Sequence, residues 1–166
     1  MIQKQTLEQF QKELGSKSAT PGGGVVAALA GGFAASLIEM VCNLTIGKKG
    51  YEKVEPSIIK IHKSSLEFKK RFEKLAEEDK KAFDKVMKAY KSKNKALIKK
   101  SLTYATQVPM EVRKLALEVE KLASQVGKIG NKNAKSDAKT AIHLAHAAGK
   151  SALENIKINR EALKKL

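Results

Sequence analysis

The feature that most constrains the fold is one unbroken helical pattern of about thirty-five residues, which begins after Pro56 and ends near Tyr90. At 1.5 Å per residue such a helix is about 50 Å long. Proline suits its first turn, where the missing N–H is not needed. No stretch of the chain alternates polar and apolar residues as a strand would. The pattern therefore favours a fold made of helices alone.

Four further segments carry helical patterns, and Pro109 is expected to interrupt or kink the third, because it cannot donate to the preceding turn. These segments are Thr6–Leu14, Val25–Ile46, a stretch from near Ala96 to Val126, and about Asp137–Leu163. Ser136 is a good N-cap for the last of them. We predict an all-α fold, an up-and-down bundle of roughly five helices, some of them long. Residues 1–166 are expected to form a single domain.

A nearly continuous apolar segment, Val25–Ile46, is long enough to span a bilayer. The ionisable Glu39 and the many alanines and glycines favour instead a central, buried helix of a soluble bundle. Small residues recur every four positions, which lets a second helix approach closely, either from the same chain or from its copy in a dimer. They are Gly24, Ala28, Gly32 and Ser36.

The chain has 33 Lys and Arg but only 17 Asp and Glu, which gives a formal net charge of +16. Net charge bears on partners rather than on the fold. Only three of the basic residues are arginine, the residue that binds guanine edges and phosphates in a bidentate manner, so sequence-specific DNA recognition is disfavoured. The lysines are spread over the polar faces of the predicted helices. A solvated surface is the simplest explanation, attraction of an anionic small substrate the next, and nucleic-acid binding the last.

The single cysteine, Cys42, excludes an internal disulfide framework and a multi-cysteine zinc site. It lies in the apolar segment without a nearby base, which indicates an inert buried thiol. His143 and His146 are three residues apart on the last helix, but no Asp or Glu accompanies them at ligand spacing, so no metal site is predicted. The first residues do not resemble a secretory signal, and a cytoplasmic location is expected.

Asp79 occupies a position of the long helix where the pattern requires an apolar side chain. An ionised carboxylate away from water is costly unless it is paired, and desolvation raises its pKa. A carboxyl pKa near neutrality is what a general acid–base needs. The structural alternative is an aspartate that pairs with a lysine or caps a neighbouring helix. The other inward-facing positions are Ile58, Ile61, Ser65, Phe68, Phe72, Leu75, Ala82 and Val86.

A glycine-rich loop, Pro21-Gly22-Gly23-Gly24, precedes the apolar helix. Free backbone N–H groups and the positive end of a helix dipole favour an anionic ligand there. No Gly-Lys-Ser/Thr follows and no strand precedes, so this is neither a Walker A loop nor a dinucleotide fingerprint. On its own the motif is also explained by a flexible turn.

A second polar loop contains Asn131, Asn133, Ser136 and Asp137 at the start of the last helix. Capping explains the serine and the aspartate but not both asparagines. Lys48 and its neighbour Lys49, placed between two glycines, are candidates for holding an anion, although exposed lysines are the simpler explanation.

Three segments together resemble the cyclodeaminase domain of the formiminotransferase-cyclodeaminase family, which also includes bacterial methenyltetrahydrofolate cyclohydrolases. They are Ser18–Tyr51, which contains the triple glycine; Glu78–Phe83; and Gly130–Asp137, followed by the alanine-rich helix that ends with Asn155 and Asn159. The resemblance covers essentially the whole chain, and the two loop motifs are specific only in combination.

The resemblance implies an all-helical homo-oligomer, expected to be a homodimer, that binds tetrahydrofolate and acts on its one-carbon unit without a metal or further cofactor. It places Asp79 on the catalytic aspartate of the family. The expected folate-binding residues are Pro21, Gly22, Gly23, Gly24, Lys48, Asn131, Asn133, Ser136 and Asp137.

Two reactions remain open. The first is cyclodeamination of formimidoyltetrahydrofolate, which releases ammonia and forms methenyltetrahydrofolate. The second is hydrolysis of methenyltetrahydrofolate. A hypothesis of another class is a non-catalytic, lysine-rich module that binds nucleic acid or protein, but it leaves the inward Asp79 and the glycine loop unexplained.

Overall fold

The computed structural model describes residues 2–166, which contain five α-helices and no strand, so the all-α prediction is confirmed. The short α1 is capped by Thr6, whose hydroxyl accepts from the Gln9 N–H. Two short 3₁₀ turns cover Ile2–Lys4 and Lys132–Ala134. The helices are α1 (Leu7–Leu14), α2 (Gly23–Asn43), α3 (Glu55–Ser92), α4 (Lys95–Ile129) and α5 (Lys135–Lys164).

Helices α2 to α5 form an up-and-down bundle in which each helix runs antiparallel to the next, as predicted. Helix α2 packs between α3 and α5, and α4 closes the ring against both of them. The start of α2 therefore lies beside the second half of α3 and the end of α5; we call this the Gly22 end. The end of α2 lies beside the start of α3 and the 131–134 turn; we call this the Asn131 end.

Small residues set how closely the helices approach. A Cβ added at Gly31 of α2 would lie 2.5 Å from two ring atoms of the fully buried Phe72 on α3. A Cβ added at Gly127 of α4 would lie 3.2 Å from the Ala138 methyl group on α5. The inward face of α5 is made of alanines, none more than 1% exposed. They are Ala138, Ala141, Ala145, Ala148 and Ala152.

Helix α4 runs without a break through Pro109, so the expected interruption there is wrong. A proline at this position cannot donate to the carbonyl of Ala105, four residues earlier. The side-chain amide of Asn159 on α5 donates to that carbonyl instead, at 2.9 Å. The helix continues because a tertiary hydrogen bond replaces the missing backbone one.

The start of α5 also differs from the prediction. The helix begins at Lys135 after the 3₁₀ turn, and its N-cap position is Ala134, which has no side chain to cap with. Ser136 is therefore inside the first turn, and the prediction that it is the N-cap is wrong. The 3₁₀ turn takes the place of a side-chain cap, because its own hydrogen bonds hold the residues that lead into the helix.

Helix α2 is long and apolar enough to cross a membrane when length and composition alone are considered. Half of its most apolar stretch is buried inside the bundle. The core helix of a soluble protein meets the same criteria.

Candidate active site

The Asp79 carboxylate lies directly against the backbone of Gly24 in the first turn of α2. A Cβ added at Gly24 would come within 2.6 Å of the Asp79 carboxyl carbon and closer still to its oxygens. Only glycine leaves room for the carboxylate here. The inward aspartate and the glycine loop, two independent signals in the sequence, therefore belong to one place in the fold.

Asp79 has no hydrogen-bond or ion-pair partner among the groups that the structure describes, unlike three polar residues beside it on α3. Glu77 and Lys80 are held by the N-terminal residues and α1, whereas Glu78 is held by Arg71 of α3 itself, which also binds Glu111 of α4. The pairs are Glu77 with the Ile2 N–H, Glu78 with the Arg71 guanidinium, and Lys80 with Glu13. The structural alternative for Asp79 was an ion pair or a cap; neither an ion pair nor a capping hydrogen bond to its carboxylate is formed among the described residues.

Burial raises the pKa of Asp79 to about 6, from an ordinary value of 3.8. The positive end of α2 lies against the same carboxylate and favours its ionised form. Near neutral pH the carboxyl can therefore both take up and release a proton. Nearby Glu111 shows the opposite behaviour, because hydrogen bonds from Arg71 lower its pKa.

The glycine loop presents backbone donors beside this carboxylate. Gly22 is the N-cap of α2 and offers no side-chain cap. The first helical hydrogen bond is donated by Val26 to the Gly22 carbonyl, so the N–H groups of the first turn are not used within the helix. Pro21 is fully buried and anchors the loop. A polar group of a ligand can bind these N–H groups.

Asn155 of α5 also reaches the Gly22 end, although sequence reasoning did not include it among the site residues. Its amide nitrogen lies 3.9 Å from the position that a Cβ on Gly23 would occupy, and it donates to the Ser151 carbonyl of its own helix at 2.9 Å. Asn155 and Asn159 are four residues apart on one helix face. The Asn159 amide donates to the Ala105 carbonyl of α4, whereas the Asn155 side-chain oxygen accepts no hydrogen bond within the described chain.

Asn131 lies at the opposite end of the bundle, where it has a structural role. It is 6% exposed. Its backbone N–H donates to the Thr45 hydroxyl at 2.9 Å, and its side-chain amide donates to the Leu44 carbonyl at 2.8 Å. Its side-chain oxygen accepts from the Asn133 N–H at 3.1 Å. These bonds fasten the 131–134 turn to the end of α2.

The remaining predicted binding residues lie near Asn131 and present polar groups to the surface. Lys48, Asn133 and Ser136 are exposed, and Asp137 is partly buried. From Gly24 to Leu44 is twenty residues of chain along α2, about 30 Å. One chain therefore does not bring the two predicted loops together. Pro21, Gly22, Gly23 and Gly24 meet Asp79, whereas the other five residues are at the far end.

The other chemistry-bearing side chains lie away from Asp79. Burial raises the pKa of the Cys42 thiol to about 12, with a smaller effect of Glu39 in the same direction. His146 lies 3.5 Å from a carboxylate oxygen of Glu120. Among the described residues no three His, Cys, Asp or Glu side chains come together as a metal site requires.

Comparisons with known proteins agree on one family. The family model of formiminotransferase-cyclodeaminase matches residues 6–165. A methenyltetrahydrofolate cyclohydrolase from Methylorubrum extorquens is 38% identical over 98% of this chain and 83% of its own length. A formimidoyltransferase-cyclodeaminase from Sus scrofa is 28% identical over 63% of the chain, which is only 21% of that longer protein. A crystal structure of formiminotetrahydrofolate cyclodeaminase from Thermotoga maritima superposes with a TM-score of 0.94 at 36% identity, over 98% of this chain and 82% of the other.

Proposed function

This chain belongs to the formiminotransferase-cyclodeaminase family, and we propose that it is a folate one-carbon enzyme in which Asp79 is the catalytic acid–base. The observation that carries the proposal is the unpaired, partly buried Asp79 carboxylate against Gly24, at the N-terminus of α2. Relatives named for this chemistry match nearly the whole chain.

The main candidate reaction is the cyclodeamination of formimidoyltetrahydrofolate. N10 of the folate attacks the formimino carbon and forms a tetrahedral centre. The formimino group enters protonated, so the tetrahedral centre carries an NH2 group. The Asp79 carboxylate takes the proton from N10 and gives it to this nitrogen, which leaves as ammonia while the methenyl bridge closes as a cation. One carboxyl whose pKa is near 6 serves both transfers, because acid–base catalysis is most effective when the pKa lies near the working pH.

The groups around Asp79 have positioning roles in this proposal. The free N–H groups of the first α2 turn and the Asn155 amide would hold the polar edge of the folate, so that N10 faces the formimino carbon. Holding reacting atoms in this way supplies a large part of a rate enhancement. The reaction needs no group beyond the folate itself, and we propose none.

The second candidate is the hydrolysis of methenyltetrahydrofolate, favoured by the name of the Methylorubrum extorquens relative. Here Asp79 would take a proton from water as the water adds to the methenyl carbon. The same carboxyl would then protonate N5 as the N5–carbon bond breaks, and the hydroxyl on the carbon would lose its proton to solvent, which leaves a formyl group on N10. Both candidates place the same acid–base against the same carbon. They differ in whether ammonia leaves or water enters.

The experiment follows methenyltetrahydrofolate spectroscopically with either substrate and measures ammonia directly. Ammonia release from the formimino substrate supports cyclodeamination, whereas turnover of the methenyl compound alone supports hydrolysis. The Asp79→Asn variant is expected to fold and bind folate but to lose at least about a hundredfold in rate, the usual scale for an acid–base group. Full activity in this variant would contradict the assignment of Asp79.

The non-catalytic alternative makes a different prediction in the same protein. A lysine-rich nucleic-acid-binding module would bind DNA or RNA with a steep salt dependence and would not bind folate. Folate binding without turnover would instead indicate a relative that has lost its activity.

A further inference from the structure

The end of α3 and the start of α4 form a hairpin that is far more basic than the rest of the chain. Residues 81–100 contain eight lysines and one acidic residue, Asp84, so this short stretch has a net charge of +7 out of +16 for the whole chain. The lysines that form ion pairs in the described chain lie elsewhere, at Lys69, Lys80, Lys121 and Lys157. Uncompensated positive charge concentrated in this way attracts anions.

A cavity of about 440 Å³ opens between the two helices of this hairpin; we call it the hairpin cavity. Cavities that hold small ligands have about 300–1,000 Å³ and an apolar lining with a few polar groups. Here Ala89 and Leu97 supply the apolar part, and none of the described residues around the cavity is acidic. Its charged groups are the ammonium groups of Lys85, Lys88 and Lys100. The hairpin cavity therefore suits a ligand that has an apolar part and more than one negative charge.

The lining of the hairpin cavity also offers an aromatic ring and two unused hydroxyl groups, from Tyr104 and Ser101. The Lys85 ammonium lies 4.7 Å from the centre of the Tyr104 ring, so a cation–π contact holds these two groups together. Ser101 is only 9% exposed, and neither its hydroxyl nor that of Tyr104 forms a hydrogen bond with another described group. Buried hydroxyl groups normally have a partner, and a polar ligand in the cavity can supply it.

A second hollow, of about 470 Å³, adjoins the hairpin cavity on the side of α4. Lys100 and Tyr104 line both hollows, whereas Lys99 and Thr103 line only the second. A ligand with an elongated anionic part can therefore extend from the hairpin cavity along α4 and reach a further lysine.

The hairpin cavity is separate from the Asp79 site. Lys85 and Lys88 follow Asp79 by six and nine residues, which places them about 120° and 180° around α3 from it. The Asp79 carboxylate lies against Gly24 of α2, whereas the hairpin cavity opens between α3 and α4. The lysines of the hairpin therefore face a different part of the surface from the candidate acid–base.

We propose that the hairpin cavity binds a nucleotide, with the phosphates among Lys88 and Lys100 and the base against Leu97 and Tyr104. Lysine binds phosphate as a point charge, and every nucleic-acid base can stack on an aromatic ring. An inorganic anion would leave the apolar part of the cavity unused. A nucleic-acid strand stacks successive bases on several rings along a groove, whereas this cavity offers one ring. The assignment does not depend on the proposed function.

The test is calorimetric titration of the purified protein with ADP and, separately, with inorganic pyrophosphate at physiological salt. Both probes carry a diphosphate group, but only ADP has a base and a ribose. ADP is expected to bind at one site per chain and about tenfold more tightly than pyrophosphate, a factor within the range of one base–aromatic stacking contact. Equal affinities, or no binding of ADP, overturn the proposal, because the lysines then form only a surface that attracts anions.

Two pairs of lysine substitutions locate the binding. Lys88→Gln with Lys100→Gln is expected to weaken ADP binding at least about tenfold, because hydrogen bonds to charged groups are lost. The matched control is Lys63→Gln with Lys74→Gln, the same change of charge at two exposed residues of α3. Both lie more than about 16 Å along the helix from Lys85, beyond the range of screened charges at physiological salt. A comparable loss of affinity in the control overturns the proposal.

Two other occupants of the hairpin cavity give different results. If a folate with a polyglutamate tail displaces ADP, the cavity belongs to the folate substrate, and if single-stranded RNA displaces ADP, the hairpin is a nucleic-acid interface; either result overturns the proposal. The Lys88→Gln, Lys100→Gln variant is expected to keep kcat/KM for the folate substrate within about twofold, since neither lysine faces Asp79. If wild type turns over neither folate, the proposed function fails, whereas the ADP titrations still decide on the nucleotide site.

Discussion

Replacing Asp79 with asparagine is expected to stabilise the folded protein at neutral pH while it removes turnover. Burial raises the pKa of this carboxyl from 3.8 to about 6, which means that the folded state disfavours the charge. Between these two values the folded chain holds the proton and the unfolded chain has released it, so the free energy of unfolding falls as the pH rises. Each unit of difference between the pKa values of the folded and unfolded chain is worth about 1.36 kcal/mol. The free energy of unfolding is therefore about 3 kcal/mol lower above pH 6 than it is at acidic pH, where the carboxyl is protonated in both states.

The assay is urea denaturation of wild type and Asp79→Asn at matched protein concentration from pH 4 to pH 8. Near pH 4 the carboxyl is protonated in the folded state and the two proteins are expected to differ little. The variant is expected to gain in relative stability up to about pH 6 and then to keep a constant advantage of up to about 3 kcal/mol. The matched control is Asp84→Asn, an exposed aspartate on the same helix, which is expected to shift stability by less than about 0.5 kcal/mol.

The reasoning is refuted if the stability difference does not change with pH, or if the asparagine variant is the less stable protein at pH 8. Either result would mean that the folded chain does not disfavour the charge on Asp79. This outcome is expected if the N-terminus of α2 stabilises the ionised carboxylate by more than burial destabilises it.

Three further results are expected. Gly24→Ala should lose most activity, because the added methyl group overlaps the space of the Asp79 carboxylate. The control Gly149→Ala should retain activity, because the nearest atom to its added methyl group is 3.6 Å away. Equal rates in the two variants would show that the overlap does not matter. Asn159→Ala should lower the free energy of unfolding by about 1–3 kcal/mol, the cost of leaving the Ala105 carbonyl without a donor. Urea denaturation should show a smaller decrease for Asn159→Ala when Pro109→Ala is also present, because alanine at position 109 restores the backbone N–H that donates to this carbonyl. The wild-type rate should rise with pH through about 6 as Asp79 ionises, and a pH–rate profile without this step would exclude Asp79 as the base.

The helices were predictable because their periodicity is local information. The long α3 was expected from Pro56 to Tyr90 and runs from Glu55 to Ser92. The interruption at Pro109 was the wrong prediction. The group that allows α4 to continue is the Asn159 amide, which lies fifty-four residues beyond Ala105, the residue whose carbonyl it binds. No local pattern reports such a contact.

The candidate site was predictable in part for the same reason. Asp79 was found because a charged residue breaks an apolar pattern, and the glycine loop because its composition is unusual. The contact between Asp79 and the glycine loop could not be predicted from their spacing in the sequence, because it depends on how α2 and α3 align. Asn131 looked like a binding residue because it is polar and close to other polar residues, yet it is buried and fastens a turn. Whether Asp79 is catalytic stays a prediction.

The proline in α4 has a consequence for how this protein can change over time. Because the Ala105 carbonyl depends on one amide from α5, the two helices are pinned at a fixed alignment. Inserting or deleting a single residue in α5 before Asn159 would rotate that amide by about 100° around the helix and leave the carbonyl without a donor. Lineages that keep Pro109 are therefore expected to gain or lose residues in the connecting turns and to conserve the length of α5 between the turn and Asn159.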